Sequence, residues 1–291
     1  MTGVQTCALP ICILTLEGQT TYSGAAAAKL NGCLVTVSSY KRDYLTLSKV
    51  NGKGASTALN LTTNRMGTKE LSAGARFFEQ VGNGRLVEID RSDITITSIP
   101  ANKITYVGYD WAGRVDKLVL NDVTGDRYDY GIIHYQPAGY QETPGNPNGN
   151  GEYKNGEISV TNGSFPKGMP PYVVGSVDGA KTNRMGGVAG SLDQLDGKNR
   201  MAAFMPLNEA TGIRRAQFNT DAMLLTTNSM VIPISDKVEC YNKTTGDWFK
   251  PGEDGDHKAA LNLALAFSDD ITVYYDRSPE EGGKVRIVVV E

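Results

Sequence analysis

Acidic residues crowd two short stretches of the chain, and these are the first candidates for chemistry. In "NDVTGDRYDYG", Asp122, Asp126 and Asp129 fall close together. A calcium loop of the EF-hand kind wants acidic ligands at alternate positions, a central Gly and a closing Glu. This spacing does not supply them, so the expected meaning is a solvated turn between modules. "GEDGDHK", at residues 252–258, is denser, with Glu253, Asp254 and Asp256. It stands just before the Ala/Leu-rich run "AALNLALAF". Acids there are expected to serve a helix start, where N–H groups lack partners and the dipole is positive.

Nucleophiles and metal ligands are sparse. "VAGSLDQ" puts Ser191 after a Gly, but no second Gly follows at the spacing of a nucleophile elbow. "VGNGRL" lacks the Lys and Ser/Thr of a phosphate loop and reads as a hairpin turn. The two His, His134 and His257, have no second His at ligand spacing. Cys33 and Cys240 form no C-x-x-C pair and read as small apolar core residues. Trp111 and Trp248 sit beside turns, where an aromatic ring can stack on a sugar. Packing at the ends of sheets is the favoured meaning for both. No residue is assigned a catalytic, cofactor-binding or metal-binding role.

The elements that would position these groups are β-rich. "LVTVSSY" and "RLVEI" alternate apolar and polar residues, and β-branched residues abound. The 33 Gly punctuate the chain as turns between many short strands. A net charge of −3 with no basic block argues against nucleic acid as a partner. No apolar run approaches the ~20 residues of a membrane-spanning helix.

The opening "MTGVQTCALPI" matches, residue by residue, the translation of one strand of a common sequencing adapter, with its initial GTG taken as a start codon. Residues 1–11 are therefore expected to be a sequencing scar outside the fold. On that reading the native N-terminus and any targeting signal are not legible.

Internal repeats organise the rest. "LTTNRM" at residues 61–66 recurs as "LTTNSM" at 225–230. "ARFFEQVGNG" at 75–84 resembles "KVECYNKTTG" at 237–246, which aligns Phe77 with Glu239. "KITYVGYDWAGRVDKLVL" at 103–120 resembles "DITVYYDRSPEEGGKVRIVVV" at 270–290. "ILTLEGQTTYSG" at 13–24 resembles "EISVTNGSFPKG" at 157–168. The order is kept throughout. The expected fold is all-β: two tandem homologous small β-barrel or sandwich modules with at most short helices. Module one would span residues 12–127 and be N-terminally truncated. Module two would span 128–291 and carry a Pro/Gly/Asn-rich excursion at 136–156. Residues 131–135 are expected to pair inside module two. The matching strand of module one would be missing, leaving an unpaired sheet edge that invites self-association.

Two phrases, "ANKITYVGYDWAGRVDKLVLNDVTGDRYDYG" and "AFSDDITVYYDRSPEEGGKVRIVVV", resemble the β-rich repeat regions of bacterial surface proteins that carry S-layer homology domains. The resemblance implies an extracellular, cell-envelope location and a non-catalytic structural or adhesive role. Its implied partners are cell-wall polymers or other surface-protein domains. It brings no catalytic residues, metal or cofactor. The alternative is a carbohydrate-binding module, or a non-catalytic fragment of an extracellular carbohydrate-active enzyme.

Overall fold

The structure is a computed structural model that describes residues 11–15, 18–22, 30, 35–41, 44–49, 54–142, 151–195 and 198–291. Among these the chain is all-β with few helices. No helix is long and apolar enough to cross a membrane among the described residues. The expected scar (save Ile11), Cys33 and the empty position of module one lie outside the described residues.

Two early hairpins come first. β1 (Ile11–Thr15) pairs with β2 (Gly18–Tyr22), and β3 (Val35–Lys41) pairs with β4 (Tyr44–Lys49). A seven-stranded sheet follows. It contains β5 (Leu59–Asn60), β6 (Arg65–Met66), β7 (Lys69–Gln80), β8 (Val87–Ile89), β9 (Ser98–Ile99), β10 (Ile104–Tyr109) and β11 (Val115–Asn121). Its order is β10-β11-β7-β6-β5-β9, with β8 beside β7.

A closed barrel comes next, ordered β12-β15-β16-β18-β17. Its strands are β12 (Asp129–Gln136), β15 (Gly156–Thr161), β16 (Tyr172–Val174), β17 (Met185–Leu195) and β18 (Lys198–Pro206). A separate hairpin of β13 (Gly139–Glu142) and β14 (Gly151–Lys154) lies in the connection between β12 and β15, which are themselves paired. The Pro/Gly/Asn-rich stretch is thus an excursion between neighbouring strands. Residues 131–135 pair with β15 and β17, inside this barrel.

The last body is a second seven-stranded sheet. It holds β19 (Asn208–Ile213), β20 (Phe218–Asn219), β21 (Leu224–Thr226), β22 (Val231–Asn242), β23 (Asp247–Phe249), β24 (Ile271–Tyr275) and β25 (Val285–Val290), and a helix α1 (His257–Phe267). Its order is β19-β24-β25-β22-β21-β20, with β23 beside β22. The span expected to be one module therefore holds two bodies, a barrel and a sheet.

The two sheets repeat one another in topology. β24-β25-β22-β21-β20 follows the path of β10-β11-β7-β6-β5. The hairpins close on the same ends, Ile104 opposite Leu120 and Ile271 opposite Val290. The parallel pairs share even a bulge: Leu71↔Val115 steps to Arg76↔Lys117, and Ile234↔Val285 steps to Glu239↔Ile287.

Two sequence alignments shift in register. Phe77 faces Leu118 and Ile89, and Cys240 faces Val288 and Phe249, so Phe77 corresponds to Cys240 rather than Glu239. Since side chains alternate along a strand, a slip of one residue exchanges core and outer faces. Phe77 and Cys240 both lie in the cores of their sheets. The match between residues 61–66 and 225–230 is a coincidence of letters. The β5–β6 turn corresponds to the β20–β21 turn, which ends before residue 225. In each, an Asn side chain accepts an N–H three residues on, Asn60 from Thr63 at 2.8 Å and Asn219 from Ala222 at 3.0 Å. Each ends on a left-handed residue, Asn64 or Met223.

The helix expected over "AALNLALAF" forms. Asp256 caps it by accepting N–H groups from Lys258 and Ala259, which bears out the helix-start reading of that acid. Ala260, Leu261, Ala264 and Leu265 form its buried stripe, and the last three of them join the second core. The first sheet has no α-helix in the corresponding connection, which holds β9 and the short 3-10 turns Arg91–Asp93 and Ala101–Lys103.

Candidate functional site

β25 reads "VRIVVV", and all six residues are buried. Val285, Val288 and Val290 face the core of their own sheet. Ile287 and Val289 join a second cluster with Tyr128, Tyr130 and Ala189 of the barrel and Val81 of the first sheet. A strand covered on both faces needs no alternation of polar residues. Arg286 interrupts this run, and its side chain is 1% exposed. A buried guanidinium is tolerated only when its donors are matched by acceptors.

The matching is supplied partly by the second sheet itself and partly by the segment joining the first sheet to the barrel. Arg286 donates to Asp276 Oδ2 from Nε at 2.9 Å and Nη2 at 2.7 Å. It also donates from Nη1 to Asp126 Oδ1 at 2.5 Å and Ser235 Oγ at 3.1 Å, and from Nη2 to the Thr124 carbonyl at 2.5 Å. Its guanidinium lies 5.0 Å from the centre of the Tyr130 ring. Lys284 adds a bond to Asp126 Oδ2 at 2.8 Å. Arg277 donates to the Val123 carbonyl at 3.0 Å and to Asp122. The joining segment is anchored at its other side by Glu79 of β7. This carboxylate accepts N–H groups from Val123 at 2.5 Å and Thr124 at 2.7 Å, and the Thr124 hydroxyl. Gly125 adopts a positive φ of 72°. A Cβ there would strike Asp276 and Arg286, so only glycine fits.

Burial works against the Asp126 carboxylate, yet Arg286 and Lys284 together hold it below the ordinary Asp range. Burial pushes Glu79 up, opposed by the Thr124 hydroxyl. Asp122 and Asp126 are therefore not members of a solvated turn. With Asp276 they are the acidic half of a buried ionic joint between two sheets and a barrel. The bonds run between residues more than 150 positions apart in the chain.

Beside the joint lies a small cavity of about 100 Å³, lined by Asp129, Ser164, Lys237, Glu239 and His257 among others. That is room for about three waters. Glu239 accepts the Gly163 N–H at 2.9 Å, and burial pushes its carboxyl up to about 7. His257 Nδ1 lies 3.0 Å from the Val238 carbonyl and 3.9 Å from Glu239. At that distance Glu239 and His257 are not hydrogen-bonded to each other, and Nδ1 is turned to the Val238 carbonyl. The space is too small to admit a sugar or peptide. Asp129 is also pushed up, chiefly by burial.

A larger groove of about 920 Å³ runs between the barrel and the second sheet. Tyr241, Tyr274 and Phe204 contribute aromatic surface, Lys181, Arg184 and Lys243 contribute positive charge, and Glu209 and Glu291 contribute negative charge. Tyr274 is pushed up to about 12 by burial and by its bond to Glu209.

The other singled-out residues fall as follows. Cys240 is buried in the second core, as expected of a small apolar side chain. "VGNGRL" is the β7–β8 turn, and it reaches the barrel through a bridge of Gly84 to Ser191. His134 meets the Thr161 hydroxyl at 3.0 Å on the barrel surface. Trp248 packs on Tyr241 with ring centres 4.9 Å apart. Trp111 departs from the expected packing: it is 96% exposed at the tip of the β10–β11 hairpin.

Comparison with known protein families, with curated proteins and with solved structures gives no match for this chain.

Proposed function

We propose that this chain is a non-catalytic structural or adhesive repeat region of an exported bacterial cell-envelope protein. The observation that carries the reading is the buried ionic joint. Its acids are occupied in holding one repeat to the next through Arg286, Lys284 and Arg277. A joint of this kind fixes repeats in one orientation, which suits a spacer or display element that must hold its shape outside the cell. The resemblance of the two hairpin phrases to surface-protein repeats supports the same reading. Protease treatment of intact cells that make the protein should release peptides from residues 54–291. Release only after lysis would overturn it.

One observation favours a second reading, a carbohydrate-binding module. The groove between the barrel and the second sheet combines Tyr241, Tyr274 and Phe204 with Lys181 and Arg184. Aromatic faces stack on sugars, and cations hold acidic groups. Calorimetry with neutral and uronic-acid oligosaccharides tests it. Binding lost in Tyr274→Ala would favour this reading over the purely structural one.

A further inference from the structure

The two repeats carry the same hairpin tip, used in two different ways. In each, an Asp follows the last paired Tyr and closes the turn. Asp110 accepts the Arg114 N–H at 2.9 Å, and Asp276 accepts the Lys284 N–H at 2.8 Å. The residue after this Asp is Trp111 in the first tip and Arg277 in the second. Arg277 is bound into the preceding sheet through Val123 and Asp122. Gly282, in the same tip, lies so close to Thr95 and Ile96 of that sheet that a Cβ would meet Ile96 Cγ2 at 3.0 Å and Thr95 Oγ1 at 3.1 Å. The second tip is thus seated on the connection between β8 and β10 of the first sheet.

The first tip has no such seat among the described residues. Trp111 is 96% exposed and Tyr109 51% exposed. The second sheet has the converse. Its connection between β23 and β24 corresponds to the one that receives a tip in the first sheet, and it carries α1. On α1, Leu263 is 60% exposed and Phe267 51% exposed. So the unused tip and the unused seat both present large apolar side chains. These four residues are most of the large apolar side chains left exposed on the described surface. Apolar groups gathered at two defined places mark contact surfaces more than scattered ones do.

We propose that the β10–β11 tip, with Trp111 and Tyr109, docks on the Leu263 and Phe267 face of α1 in a second copy of this chain. The contact repeats between copies what the β24–β25 tip does within one copy. It is heterologous: the two surfaces differ, so an assembly of any length keeps one free tip and one free seat. Such contacts build open linear assemblies rather than closed dimers. The area of one hairpin tip on one helix belongs to the small, transient class of interface. Assembly therefore grows with concentration instead of being complete at all concentrations. The proposal does not depend on whether the protein is exported.

Sedimentation velocity over a rising concentration series tests this, using Trp111→Asp and Leu263→Asp. Both residues are exposed, so each variant should keep the wild-type melting temperature. The wild type should show a weight-average sedimentation coefficient that climbs with concentration, and each variant alone should stay monomeric. Mixed in equal amounts, the variants should form a dimer and stop there, because one retains only the seat and the other only the tip. In a Trp248→Phe background, Trp111 emission should shift to the blue as wild-type assembly proceeds. A wild type that stays monomeric throughout would overturn the proposal. So would assembly that survives both substitutions, or a dimer that one substitution abolishes and the other leaves intact.

Discussion

The hairpin tips of the two sheets share their strand pairing but differ in two side chains and in the length of the turn. Asp110 and Asp276 play the same part in closing the turn. In the first tip Asp110 also binds Arg114 Nε at 2.8 Å, so the charge is satisfied locally. In the second, Asp276 turns its other oxygen to Arg286. The position of Arg286 on β25 corresponds to Asp116 on β11, and Trp111 stands where Arg277 does. A longer turn, residues 276–284 against 110–114, then brings Lys284 and Gly282 to the joining segment. One scaffold thus serves as a self-contained tip or as half of a joint. The choice is made by side-chain charge and turn length, not by strand topology.

The largest contrast between the tips should appear on removing the central charges. Arg286→Ala leaves Asp276 and Asp126 buried without their main partner, which should cost about 3–5 kcal/mol. The corresponding change in the first sheet, Asp116→Ala, should be within about 1 kcal/mol of neutral. Asp116 Oδ1 is buried without a partner, and the other oxygen holds only the partly exposed Lys117, at 2.5 Å, so the ion pair lost with it is offset by the relief of that buried oxygen. Urea denaturation of the two variants measures both. Equal losses would break the distinction between a joint and a free tip. Gly125→Ala should follow closely, at about 2–4 kcal/mol, because a methyl group must displace Asp276 or Arg286 and the backbone has a positive φ.

A pH effect comes next. Burial pushes Glu239 up to about 7, whereas an unfolded Glu titrates at about 4.3. Between these values the native state binds the extra proton. The associated stability is full at the acid end of the window and is lost as pH rises through about 7. Asp126 is shifted the other way, so its contribution is present above the ordinary Asp value and is lost only in stronger acid. From pH 5 to pH 8 the denaturation free energy should therefore fall by about 1–3 kcal/mol. Glu239→Gln, which can still accept the Gly163 N–H, should flatten much of that slope. A slope unchanged in the variant would show that Asp129 or Glu79, whose carboxyls burial also pushes up, governs it.

The smallest effect sharpens the likeness of the two sheets. Asn60→Ala and Asn219→Ala each remove one side-chain bond across corresponding turns. Each should cost about 1 kcal/mol, and the two losses should agree within about 0.5 kcal/mol. A clear disparity would show that the turns are alike in shape but not in energetics.

How far these features were legible depends on how local they are. The all-β character, the Asp256 helix start and the register of the long hairpins follow from neighbouring residues and turn chemistry. The Tyr-Asp pairs at residues 109–110 and 275–276 marked equivalent points in both copies. The match of residues 61–66 with 225–230 misled because the shared turn rests on one Asn and one left-handed residue, which "NLTTN" and "NTDAM" both supply. The barrel was not separated from the second sheet, because its closing pair, β12 with β17, joins strands far apart in sequence. The joint was invisible for the same reason. One signal did point to it: an Arg in the middle of the apolar run "VRIVVV" must find acceptors if that run is buried.

The central claim is that the buried ionic joint makes the two repeats one cooperative body. Native-state hydrogen exchange on β7 and β11 against β22 and β25 tests it most directly. In the wild type, the slowest amides of both sheets should open with the same free energy and the same denaturant dependence. In Arg286→Ala the two sheets should separate into distinct opening events. Separate openings already in the wild type, unaffected by the loss of Arg286, would contradict the account.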